Sequence, residues 1–187
     1  MTKYYLHIGL HKTGTKLLQH KFFKYLDSKE IFYNPEKLVQ LICDLIKAED
    51  EDVERVLHLI REEKVRLEKN NTHKKILISR EIMSGNLLNF YQDSFEYHKR
   101  LKLAFSDANI LLCLRFQYDW IISCYKESVK LHHYQSLEDF LNFKKKDQFI
   151  KVDYLKLDFV KYIKNLYNLF SIEKVNIIFY ENLKLNK

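Results

Sequence analysis

The segment Leu6-His7-Ile8-Gly9-Leu10-His11-Lys12-Thr13-Gly14-Thr15-Lys16-Leu17-Leu18-Gln19 decides how this sequence is read. An apolar run, Tyr4–Ile8, enters a short loop that holds two of the three glycines in the chain, and a helical pattern begins directly after the second. Glycines at such a turn let backbone N–H groups point inward and approach a ligand closely. The start of a helix adds unsatisfied N–H donors and the positive end of its dipole. Lys12, Thr13 and Thr15 contribute a charge and two hydroxyls, so the loop reads as a cradle for a phosphate-like anion.

The spacing of Gly9 and Gly14 matches the nucleotide-binding pattern G-x-x-x-x-G-K-[ST]. However, Thr15 stands where the lysine belongs, and Lys16 comes one position late. The chain also lacks a strand ending in an Asp suited to Mg²⁺; Glu181, after Val175–Tyr180, is the nearest substitute. A nucleotide kinase or NTPase is therefore the weaker reading of this loop.

Outward from the loop, the strand candidates are Tyr4–Ile8, Lys75–Ser79, Asn109–Leu114 and Val175–Tyr180, with Ile31–Tyr33 a weaker fifth. Each is short and rich in Ile, Leu or aromatics, as expected of parallel strands covered on both faces. Helical patterns occupy the intervals. Thr15–Tyr25 carries Leu17, Leu18, Phe22 and Tyr25. Pro35 opens a segment striped with Leu38, Leu41, Ile42 and Leu45. Glu51–Lys69, Tyr118–Leu131 and Asp153–Phe170 are amphipathic. Strand–helix alternation predicts an α/β domain, a three-layer sandwich around a mainly parallel sheet of about five strands. Right-handed crossovers align the loops along one sheet edge, where such folds bind ligands.

Composition bounds the answer. With 187 residues, the chain suits a single domain over 1–187. Hydrophobic residues make up 47%, which excludes a disordered chain. Three Gly and one Pro leave few helix breakers. The abundance of Lys, Asn, Tyr, Phe and Ile reads as genome bias. The formal charge of +7, from 32 basic and 25 acidic residues, suits anionic ligands, but the lysines are dispersed. Basic residues do not alternate with aromatics as a nucleic-acid platform would require, so no nucleic-acid partner is expected. Cys43, Cys113 and Cys124 show neither disulfide nor zinc spacing, and Cys113 lies in an apolar run that suggests core. No run reaches the roughly 20 apolar residues that span a bilayer, and the N-terminus has no signal-peptide pattern. A cytoplasmic location is the default expectation, and Asn70-Asn71-Thr72 reads as a chance sequon.

The run His11-Lys12-Thr13-Gly14-Thr15-x-x-Leu18-Gln19 resembles the 5′-phosphosulfate loop of sulfotransferases, in particular their bacterial and carbohydrate-acting branch. Lys16 departs from the Thr or Ser usual there. A second segment, Asn109–Leu114 followed by Arg115 and, eight residues later, Ser123, resembles the family's 3′-phosphate anchor. Tyr118, Asp119 and Trp120 follow the family's pattern after that arginine, although Gln117 replaces its usual Pro. Val175–Leu183 is similar to a late family strand, in which Tyr180 and Glu181 are structural.

The resemblance covers nearly the whole chain in family order, and it implies a P-loop NTPase-like fold. It also implies sulfuryl transfer from 3′-phosphoadenosine 5′-phosphosulfate to a hydroxyl or amine of an acceptor small molecule or saccharide. Binding would fall to His11, Lys12, Thr13, Gly14, Thr15, Lys16, Arg115 and Ser123, and catalysis to Lys12 and Glu81. A sulfuryl group carries less negative charge than a phosphoryl group, so lysine and backbone donors serve without a metal. Lys12 would stabilise charge on the bridging oxygen. Glu81, at the end of Ile76–Ser79-Arg80, is the first choice of general base, with His11 and His20 as alternatives. Arg80 could bind an anionic acceptor, and His132-His133 could form part of an acceptor wall. Trp120 and Tyr125 read as packing residues. The family usually continues into a basic, glycine-containing loop beyond the last strand, so the expected domain lacks its usual C-terminal portion. A non-catalytic anion-binding remnant of the fold is the third reading.

Overall fold

The structure, a computed structural model, describes residues 2–26, 30–70, 74–87, 91–130, 136–141, 144–145, 148–149 and 158–184. Its centre is a five-stranded sheet in which every pairing is parallel. The strands are β1 (Lys3–Gly9), β2 (Ile31–Tyr33), β3 (Lys75–Ser79), β4 (Asn109–Leu114) and β7 (Val175–Phe179), in the order β2-β3-β1-β4-β7. A two-residue antiparallel pair, β5 (Lys144–Lys145) with β6 (Gln148–Phe149), stands apart from it.

The helices are α1 (Thr15–Lys21), α2 (Glu36–Lys47), α3 (Val53–Asn70), α4 (Ser94–Ala104), α5 (Gln117–Lys130), α6 (Leu137–Leu141), α7 (Phe159–Phe170) and α8 (Tyr180–Lys184). The period-2 alternation of strands sorts the core into two layers. On one face Leu6, Ile8, Ile76, Ile78, Ile110 and Leu112 are fully buried against α2, α3, α4 and α7. On the other, Leu77 and Cys113 pack with Leu18 of α1 and Phe23, and Leu183 of α8 leans on the same cluster. The sheet thus lies between two helical layers, as the strand–helix alternation predicts.

The boundaries differ from the sequence expectation in informative places. The first helix ends at Lys21, and Phe22 departs to φ −125° and ψ −61°. A 3-10 turn, Phe23–Tyr25, then swings Phe23 onto His7, ring centres 5.0 Å apart. The last strand ends at Phe179 because Tyr180 opens α8. Asp158 caps α7, its carboxylate accepting from the Lys161 N–H at 3.0 Å; residues 153–157 lie outside the described set. Helix α4 carries no clear apolar stripe, and the sequence reading passes over it.

Strands β1 and β4 are neighbours, with Gly9 opposite Cys113. The chain leaves β1 toward β2 and β3 on one side and leaves β4 toward β7 on the other. The carboxyl ends of β1 and β4 therefore form the switch point at which open α/β sheets bind ligands.

Candidate functional site

The loop between β1 and α1 is held from every side. Lys12 adopts φ +66° and Gly14 φ +88°, conformations in which the chain reverses tightly onto α1. A Cβ at Gly14 would come within 2.5 Å of the Tyr180 ring, so glycine is required there on two grounds. Thr13 is fully buried. Its hydroxyl donates to the Leu10 carbonyl at 2.6 Å, and its own carbonyl accepts from the Cys113 thiol at 2.9 Å. Burial pushes that thiol up to about 11, so it stays protonated as a donor. Thr13 is thus turned inward and shapes the loop rather than facing a ligand with its side chain.

A cavity of about 300 Å³ opens above this loop. Its walls include His11, Lys12, Gly14, Thr15, Lys16 and Glu81, together with Arg115, Ser123, Glu127 and Tyr180. Apart from Thr13, every residue proposed from the sequence for donor binding or catalysis lies on it. Arg115 follows β4, Ser123 and Glu127 are one turn apart on α5, and Glu81 follows β3. Residues more than a hundred positions apart converge because their strands end at one sheet edge.

Two polar atoms here are buried with no partner among the described residues: Thr15 Oγ1 and Arg115 Nε. Such orphans are uncommon in native structures; four others, Tyr4 Oη, His7 Nε2, His98 Nδ1 and Arg100 Nε, belong to residues that do not line this cavity. The Arg115 guanidinium lies over the Tyr180 ring, 4.9 Å from its centre, and one terminal nitrogen reaches the Lys12 carbonyl at 3.4 Å. Lys12 Nζ pairs with Glu127 Oε2 at 3.2 Å. That contact, first as a hydrogen bond and then as a charge, holds the Glu127 carboxyl below its ordinary range. Cationic and hydroxyl donors thus dominate the walls, and an oxyanion fits them. Among the described residues, no group of three or more His, Cys, Asp or Glu is arranged to hold a metal ion.

A second polar cluster braces the site from below. His7 Nδ1 lies 2.7 Å from Ser79 Oγ, and Gln19 Nε2 donates to Ser79 Oγ at 3.0 Å and to the Ser79 carbonyl at 3.1 Å. The Ser79 N–H donates to Asn34 Oδ1 at 2.8 Å. Gln19, the last residue of the loop motif, therefore ties α1 to the end of β3, from which Arg80 and Glu81 depart.

Other candidates fall elsewhere. His20 is exposed on α1 and Arg80 is exposed, and neither lines the cavity. His132 and His133 lie outside the described residues. Trp120 does more than pack: buried, it donates from Nε1 to the His11 carbonyl at 2.7 Å. The sequence reading missed Tyr91, whose hydroxyl meets both His11 N (2.9 Å) and His11 Nδ1 (3.0 Å). It also missed Glu127, for which the i,i+4 spacing from Ser123 is a usable signal. Tyr180, read as structural, stands in the cavity wall.

Among the described residues, no helix is long and apolar enough to cross a membrane. No family model matches the sequence, and no curated protein matches it. Among solved structures, the chain is similar to a sulfotransferase from Alicyclobacillus acidocaldarius: 19% identical, covering 100% of this chain and 76% of that one, with a TM-score of 0.63. It also overlaps a sugar kinase from Janibacter sp. HTCC2649 at 12% identity, over 97% of this chain and 87% of that one. That TM-score of 0.42 is too low to support an argument. The first likeness establishes the architecture: this chain has a sulfotransferase-like α/β fold.

Proposed function

We propose that the chain is a sulfotransferase that takes a sulfuryl group from 3′-phosphoadenosine 5′-phosphosulfate and passes it to an acceptor hydroxyl or amine, with a saccharide the favoured acceptor. One observation carries this reading. A single cavity joins the loop donors Lys12, Gly14, Thr15 and Lys16 to Arg115 and Ser123, and among the described residues Thr15 Oγ1 and Arg115 Nε have no hydrogen-bond partner.

The donor supplies the activated sulfuryl group. Thr15, Lys16 and the backbone at Gly14 would hold its 5′ end, while Arg115 and Ser123 would hold its 3′-phosphate. Arginine offers a planar fork of N–H donors matched to phosphate oxygens. Glu81, on the cavity wall, takes the acceptor proton as the acceptor oxygen or nitrogen bonds to sulfur. Lys12 neutralises the charge left on the 5′-phosphate oxygen as its S–O bond breaks. To do so it must exchange Glu127 for the ligand.

Calorimetric titration of the chain with 3′-phosphoadenosine 5′-phosphate, set beside AMP and Mg-ATP, tests the reading. The expected result is tighter binding of the bisphosphate than of AMP, lost in Lys12→Ala and Arg115→Ala. Preference for Mg-ATP would favour a kinase or NTPase. No binding by the folded chain would favour a remnant of the fold.

A further inference from the structure

We infer that His11 serves the anion as a neutral hydrogen-bond donor through Nε2–H, with its tautomer set by the buried hydroxyl of Tyr91. The inference rests on the donor reading above and removes His11 from the candidates for general base.

The argument is an accounting of polar atoms. The backbone N–H of His11 donates to Tyr91 Oη at 2.9 Å, and its carbonyl accepts from Trp120 Nε1 at 2.7 Å. Its ring Nδ1 lies 3.0 Å from the same Tyr91 Oη. Tyr91 is only 3% exposed, so its own proton needs an acceptor inside the protein. Oη already receives the His11 N–H, and the only acceptor beside it among the described residues is Nδ1. The phenol therefore donates to Nδ1, and the neutral ring carries its proton on Nε2. A protonated ring would place N–H against O–H and leave the Tyr91 proton stranded.

Electrostatics agree with the geometry. Burial, reinforced by the Lys12 charge, holds His11 below the ordinary histidine range against the opposing pull of Glu81. Burial also holds the Tyr91 phenol well above its ordinary value, so it remains a donor. With its other polar atoms engaged, His11 presents to the cavity one N–H of fixed direction. A base would need a free lone pair at that nitrogen. A fixed neutral donor suits an oxygen that gains charge during transfer, and it requires no reorganisation at that moment.

The test uses the ¹⁵N-labelled 187-residue chain. Histidine ring ¹H–¹⁵N correlations, with the His11 signals identified by their loss in His11→Gln, should show Nε2 protonated and Nδ1 bare at neutral pH. Tyr91→Phe should release that single tautomer and weaken binding of 3′-phosphoadenosine 5′-phosphate several-fold. His11→Leu should lose about tenfold, and His11→Gln, which restores an N–H, should recover most of it. A ring protonated on Nδ1, or His11→Leu binding as tightly as wild type, would overturn the inference. If the wild-type chain binds no bisphosphate, the donor reading falls, while the spectrum still decides whether Tyr91 sets the tautomer.

Discussion

Lys12 Nζ stands 3.2 Å from Glu127 Oε2, an ion pair built into the wall of a cavity suited to anions. Both side chains are about a third exposed, so the pair is worth at most about 1 kcal/mol. It nonetheless sets a competition, since an incoming oxyanion must take Lys12 from a carboxylate that is already there. Glu127→Gln removes the competitor and adds one unit of net positive charge. Bisphosphate affinity should rise up to about fivefold, the equivalent of that 1 kcal/mol. Because Lys12 depresses the Glu127 carboxyl, the pair stabilises the fold above the unfolded carboxylate pKa, and that contribution is lost as pH falls through the lower folded value. Weaker binding by Glu127→Gln in a calorimeter would show instead that Glu127 is needed to position Lys12.

Gly14 and Tyr180 make the loop and the last helix interdependent. Gly14→Ala meets two penalties: a left-handed backbone at φ +88° and a Cβ 2.5 Å from the Tyr180 ring. The first costs about 1–2 kcal/mol. The second displaces the ring on which Arg115 lies. Loss of both thermal stability and bisphosphate binding is expected. In Gly14→Ala with Tyr180→Ala the destabilisation should be smaller than the sum of the two single changes, because the clash is gone. Strict additivity of the unfolding free energies would mean that the two residues do not touch.

How much of this was legible beforehand depends on how local the signal was. The β1–loop–α1 unit, four strands and the Arg115–Ser123 pair each announce themselves within about a dozen residues. Helix α4 does not, because its buried face carries Ser94, His98 and Arg100 beside Leu101 and Ala104. The partners that anchor Arg100 and His98 lie far along the chain. Arg100 donates to the Leu45, Ile46 and Ala48 carbonyls that close α2, and His98 meets Tyr162. Tyr91 is hidden for the same reason: it lies eighty positions from His11, and only the folded sheet edge brings them together. Apolar periodicity reports burial, and it is silent about polar groups that are buried because something far along the chain receives them.

Thr15 offers a separation of stability from binding. Its side chain is buried, and Oγ1 has no partner among the described residues. An unsatisfied buried hydroxyl costs about 1–3 kcal/mol. Thr15→Val keeps the shape and removes that cost, so the unliganded chain should gain about 1 kcal/mol or lose nothing. Binding of the bisphosphate should weaken about tenfold or more, because a hydrogen bond to a charged oxygen is worth about 1.5–3 kcal/mol. Thermal unfolding with and without ligand measures both effects. A variant that is less stable yet binds normally would place the hydroxyl in the fold rather than the site.

The fold should weaken in mild acid through two buried histidines outside the cavity. Burial lowers His98 to about 3 and His7 to about 4, against about 6.5 for an unfolded histidine. Both stay neutral in the native chain while the unfolded chain takes up protons below about pH 6.5. Stability contributed this way is complete above that pH and falls as the pH drops toward the folded values. At pH 5 each histidine should remove about 2 kcal/mol, at about 1.4 kcal/mol per pH unit. His98→Phe should remove roughly half of that slope, while Tyr162 keeps its 3.0 Å bond to the Ser84 carbonyl. Urea midpoints at pH 7, 6 and 5 measure the effect. A midpoint that did not move between pH 7 and 5 would mean that neither ring is held neutral by the fold.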